Sequence, residues 1–267
     1  MPAIQPSRLK IQAAKLHQYA GDPEKFCRAF HSFLDFYADR TYKPGQVGEP
    51  PPLMRAYRVP SPVLPAVEKE LKQFSFENRE LALALADALW SEPILEFQLL
   101  AASILGQVSP TPFQAIIMRV ENWSGSNTPG RLIDEIVDSG LAKFLQEYPG
   151  AYLEQTESWL TSEDEQFNRL GLIAIPPLVE SGYFEDYPQL FNQLGKLMRS
   201  EITPLNTEVL RIIEVLAQKA PDETAYFLGQ TKKSAGENAA ISWYIRKSLG
   251  FFPSDSQRYL RAVLLES

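Results

Sequence analysis

Residues 22–40, DPEKFCRAFHSFLDFYADR, carry the reading that decides the fold class. Asp22 has the character of a helix N-cap, and Pro23 occupies the first helical position, where its missing N–H costs nothing. Phe26, Phe30, Phe33, Phe36 and Tyr37 then recur at spacings of three and four. That spacing puts them on one stripe of a 3.6-residue helix, whereas a strand would need strict alternation. The segment predicts an amphipathic helix with an aromatic inner face.

Outward from this segment the same pattern repeats. Upstream, RLKIQAAKLHQYA (8–20) brings Leu9, Ile11, Leu16 and Tyr19 near one stripe. Downstream comes a Pro/Gly-rich break, YKPGQVGEPPP (42–52). It is followed by SPVLPAVEKELKQF (61–74), ENRELALALADALW (77–90), EPILEFQLLAASILGQV (92–108) and TPFQAIIMRV (111–120), each with a proline or an acidic residue at its start. Beyond a turn at 123–127, helical patterns resume over 128–147, 149–160, 163–180, 186–200, 204–219, 221–231, 236–250 and 254–265. Most of the 21 prolines stand at helix starts, where they are tolerated.

No period-two strand is present. Helix pairs recur roughly every 30–45 residues, the rhythm of HEAT-type repeats. The expectation is an all-α fold, an α–α superhelix or HEAT-like solenoid of about six helical pairs, forming a single domain over residues 1–267. Stacked hairpins of this kind bury their faces between neighbours and offer a concave surface to a large ligand.

Composition narrows the function classes. Apolar residues make up 45% and charged residues 22% of the chain, as in ordinary globular domains. No uninterrupted apolar run reaches the roughly 18 residues of a transmembrane helix, and MPAIQPSRLKIQAAKLHQYAG has no signal-peptide core. Cys27 is the only cysteine, which removes any intrachain disulfide and argues against structural zinc. A cytoplasmic location is the expectation. The net charge is −7, but it is unevenly spread. Residues 1–60 hold nine Lys/Arg against five Asp/Glu, and residues 232–267 hold six against three. Two basic ends flank an acidic middle, so a local positive face is compatible with the acidic total.

Nucleophilic and metal chemistry are poorly supplied. His17 and His31 are the only histidines, and both fall on predicted helices. There is no GxSxG elbow, HExxH pair or phosphate-cradling glycine loop. Cys27, amid the Phe stripe, reads as a small core residue. No metal and no cofactor are expected.

Aromatics, an amide and a few cations remain. In RVENWSGSNTPGRLIDEIVDSG (119–140), Trp123 precedes a turn of small polar residues ending at Asn127, and these poor apolar flanks place the indole at the surface. Trp90 and Trp159 read as core packing. Trp243, with Ala240 at i−3 and Lys247 at i+4, fits either the core or an exposed face. Arg169 has the acidic EDE tripeptide just before it as a possible ion partner.

Four blocks, in order, bring a family into view: DPEKFCRAFHSFLDFY, LMRAYRVPSPVLPAVEKEL, ALWSEPILEFQLLAASILG, and WLTSEDEQFNRLGLIAI followed by NAAISWYIRKSLG. Over about residues 15–260 the chain resembles the AlkD-like alkylpurine DNA glycosylases, the HEAT-like DNA alkylation repair family. The resemblance implies that Trp123, Arg169 and Trp243 line a concave DNA-binding surface, with Arg246 and Lys247 beside them. It also implies that the family's catalytic Asp, four residues after the first Trp, falls on Asn127. An alkylated purine already carries positive charge and leaves without a general acid, so a carboxylate facing the developing oxocarbenium is most of what an enzyme adds. Asn keeps the shape and loses the charge. Glu121, Asp134 and Asp138 are near in sequence without the family's spacing.

Three readings stay open. One is a DNA-binding relative with weak or lost base excision. Another is an interaction scaffold taking a protein partner on the concave face. The third is an active alkylpurine glycosylase using another carboxylate. None involves a membrane.

Overall fold

The computed structural model describes residues 5–39, 54–125, 128–183, 187–199, 205–236 and 238–265. The break at 42–52 and Asn127 lie outside the described residues. Among the described residues the regular elements are helices, and the only bridge outside them joins Arg55 to Ile94. The all-α expectation holds, and no described helix is long and apolar enough to cross a membrane.

Residues 1–148 form one compact unit. Its helices are α1 (Pro6–His17), α2 (Pro23–Tyr37), α3 (Val63–Glu77), α4 (Arg79–Trp90), α5 (Leu95–Gln107), α6 (Gln114–Trp123), α7 (Gly130–Asp138) and α8 (Ala142–Glu147). Asp22 caps α2 as expected, its side chain accepting from the Lys25 N–H at 3.1 Å. Phe26, Phe30 and Phe33 are buried on the inner stripe, and Phe30 meets Phe97 of α5 at 4.8 Å between ring centres. Phe36, on the same spacing, is 51% exposed and lies under the Arg8 guanidinium instead. Helices two apart in sequence lie side by side: α1 against α3, α3 against α5, α5 against α7, and α2 against α4. That alternation is the packing rule of an α–α superhelix.

One expected helix is divided. The pattern over 128–147 becomes α7 and α8, separated at Ser139 and Gly140. The cause is the neighbouring helix. Gly106 of α5 approaches the Ser139 carbonyl so closely that a Cβ there would overlap it, and Gly140 lies against the Ala102 carbonyl.

Residues 149–267 form the second unit. It comprises α9 (Pro149–Leu160), α10 (Glu165–Glu180), α11 (Tyr187–Arg199), α12 (Asn206–Lys219), α13 (Pro221–Ala235), α14 (Ala239–Ser248), a 3-10 turn at Leu249–Phe251, and α15 (Ser254–Leu265). Asp164 and Asn238 cap α10 and α14 with their side chains. Here α10, α12 and α14 pack in succession, and α13 packs on α15. Leu172, Ile175, Leu194, Ile212, Leu216, Leu228, Ile241 and Ile245 belong to the core they share.

Candidate functional site

Trp123 ends α6, and the structure places it inside its unit. It is 6% exposed and stacks on Trp90, the last residue of α4, at 4.6 Å with the planes 7° apart. One turn earlier on the same two helices, Arg119 grips Asp87 with two nitrogens at 2.9 and 2.6 Å. The ion pair and the indole stack therefore clamp α4 to α6 together. The surface position expected from the polar flanks is corrected: the ring is covered from across the helix pair, not by its sequence neighbours. After it, Thr128 Oγ1 donates to the Trp123 carbonyl at 2.7 Å and the Thr128 N–H to Gly125 at 2.8 Å. Those bonds tie the turn back to the end of α6. Trp90, expected in the core, is half-buried, and Trp159 is buried as expected.

The carboxylates near the turn are Glu121 on α6 and Asp134 on α7, both half-buried, and the exposed Asp138. Each engages other groups of the protein. Glu68 on α3 faces Glu135 of α7, and burial together with that second negative charge raises its pKa.

In the second unit, three neighbouring helices build a polar cluster. Arg169 of α10 does not pair with the acidic tripeptide before it. Its Nε donates to Oε1 of Glu208 on α12 at 2.7 Å. The Arg169 side chain is 35% exposed and that of Glu208 only 8%. The Tyr244 hydroxyl on α14 donates to Oδ1 of Asn206 at the start of α12. Burial raises the Tyr244 pKa, and the negative charge of Glu208 raises it further. Trp243 meets Tyr244 edge-on at 5.1 Å and is half-buried against the core, between the two positions its sequence allowed. Arg246 and Lys247 are exposed in the last turn of α14, three and four residues beyond Trp243 and so on its face of the helix. Arg169 and Trp243 thus stand on α10 and α14, the two helices that each pack on α12.

The sequence reading passed over Asn206 and Glu208. A signal was present: Glu208, Ile212 and Val215 share the buried face of α12 at spacings of four and three. A charge on an apolar stripe needs a partner.

Burial pushes the Cys27 thiol up to about 11, so little thiolate exists near neutrality. His31 bonds Tyr57 through Nδ1 at 2.8 Å, and its ring packs tilted against Phe97. Among the described residues no group of three His, Cys, Asp or Glu side chains is arranged to hold a metal.

The fold is thus a helical-repeat scaffold, and its second unit presents a part-exposed arginine tied to a buried glutamate. The sequence pattern of the DNA alkylation repair enzymes matches residues 53–246, and the chain belongs to that family. The match includes Trp123, Asn127, Arg169 and Trp243 and ends at Arg246. No curated protein matches the chain.

Proposed function

We propose that this member of the family holds duplex DNA by its phosphate backbone and releases alkylated purines slowly or not at all. The observation that carries the binding half is the Arg169 geometry. Its Nε is engaged by Glu208, and no other side-chain donor of Arg169 has a partner among the described residues. A guanidinium held in this way offers its outer amino groups as a preformed fork for a phosphate. Trp243, on α14 beyond α12, offers a half-buried indole, and Arg246 and Lys247 add charge on its face of that helix.

The catalytic half rests on Asn127, which the family resemblance puts where a carboxylate is expected. Without that charge the developing oxocarbenium lacks its main stabiliser. Removing comparable electrostatic stabilisation elsewhere costs about 10²–10³ in rate.

The test is single-turnover release of 7-methylguanine from duplex DNA by wild type, Asn127→Asp and Asp134→Asn. The expected result is slow release by wild type and a gain of up to about 10²–10³ in Asn127→Asp. Fast release by wild type that Asp134→Asn abolishes would make the protein an active glycosylase with a different carboxylate. Absence of duplex binding at low salt would leave the protein-scaffold reading in its place.

A further inference from the structure

The Arg169–Glu208 pair is asymmetric. Its anion is inside, and one oxygen of that anion, Oε2, accepts no hydrogen bond among the described residues. Its cation reaches the surface, with Nε spoken for and the rest of the guanidinium unengaged. A buried carboxylate with an unsatisfied oxygen is costly unless a cation stays beside it. Arg169 is therefore tethered, and its charge is already answered.

We infer that Glu208 is the positioning residue of a phosphate site at Arg169, and that it sets the site's charge as well as its geometry. This rests on the proposed duplex-binding reading and deepens it. The bond to Nε restrains the guanidinium and leaves the edge formed by its two amino groups for an incoming oxyanion. The carboxylate charge offsets the guanidinium charge, so a phosphate meets two directional donors on a neutral pair. The site selects an anion by fork geometry and adds little to long-range attraction. Tyr244, hydrogen-bonded to Asn206 at the start of the same helix, keeps the α14 side of the cluster in place.

Charge and geometry are separable by substitution. Glu208→Gln keeps a carbonyl acceptor for Nε and removes the charge. The readout is the affinity of the full chain for a fluorescent duplex as a function of salt, for wild type, Glu208→Gln, Arg169→Gln and the double variant. The expected result is tighter binding by Glu208→Gln at low salt, roughly threefold to tenfold, the size of one screened unit-charge interaction. The log–log salt slope should steepen by up to about 0.9, the share of one newly neutralised phosphate. In the Arg169→Gln background, Glu208→Gln should give no such steepening. If the amide variant does not fold, Glu208→Met fills the same space without charge and should steepen the slope equally.

Unchanged or weaker binding by a folded Glu208→Gln, with wild type binding normally, overturns the role of Glu208 and leaves duplex binding standing. The same gain in the absence of Arg169 also overturns it. Binding that emerges only in Glu208→Gln and requires Arg169 supports the role of Glu208 and removes duplex binding from the native chain. No binding by any variant overturns both.

Discussion

Trp123 and Trp90 are stacked with their planes 7° apart, and that contact decides what a substitution should cost. Trp123→Ala should destabilise the protein by about 3–5 kcal/mol, the range for deleting a buried aromatic, measured by urea unfolding. A change within about 0.5 kcal/mol would mean the ring is a surface group after all. Arg58 carries strain of another kind. Its φ is 55°, in the left-handed region where a Cβ is crowded. The buried Glu96 holds it there, accepting the Tyr57 N–H at 3.0 Å and the Arg58 N–H at 2.6 Å. Arg58→Gly should be neutral or stabilise by up to about 1 kcal/mol, since glycine adopts that conformation freely. Glu96→Ala should cost about 2–4 kcal/mol, because two amides lose a charged acceptor. Chemical denaturation of both variants checks the pair; a stabilising Glu96→Ala would refute the cradle. Cys27 gives a pH signature. The folded thiol keeps its proton to about 11, whereas the ordinary value is 9.0. The unfolded chain therefore ionises first, and stability from this group is complete below pH 9 and lost as pH rises through about 11.

At the scale of elements, close approach explains what periodicity missed. The apolar spacing of LIDEIVDSGLAKFL continues through Ser139 and Gly140, so it predicted one helix where the chain makes two. What divides it is the backbone of α5 at Gly106, more than thirty residues earlier in the chain. A sequence window cannot contain that neighbour. Gly106→Ala should therefore cost more than about 2 kcal/mol, since the obstacle is a carbonyl and not a flexible side chain. Gly21, with nothing within 4 Å of an added Cβ, is the control and should tolerate alanine within about 0.5 kcal/mol. Thermal melts of the two variants make the comparison. The helices that were legible, α2 and α9 among them, carry their own signals: a proline or an Asp cap at the start and apolar positions every three or four residues. The candidate site was legible only in part. Arg169 and Trp243 were singled out by the family blocks alone. Glu208 was not, because its partner lies 39 residues away, and Trp123 was misplaced because its cover is Trp90, 33 residues upstream.

For the whole molecule the deciding quantity is charge. Residues 1–148 hold fifteen Lys/Arg against seventeen Asp/Glu, and residues 149–267 hold eleven against sixteen. Neither unit is a cation overall, so the proposed duplex attraction has to come from a few local groups. Of the candidates, Arg169 is offset by Glu208, which leaves Arg246 and Lys247 as the exposed net cations beside Trp243. Two neutralised phosphates at about 0.9 each predict a log–log salt slope near −2. Affinity should then fall about tenfold between 50 and 200 mM salt, and replacing Arg246 and Lys247 together by Gln should flatten most of the dependence. Fluorescence anisotropy across that salt range measures both. A slope far steeper than −2 would mean that many more basic groups reach the backbone, the clusters at the two ends of the chain being the first to substitute. A flat dependence would remove phosphate contact as the source of binding. It would favour a protein partner, for which an acidic helical repeat needs no counterion release.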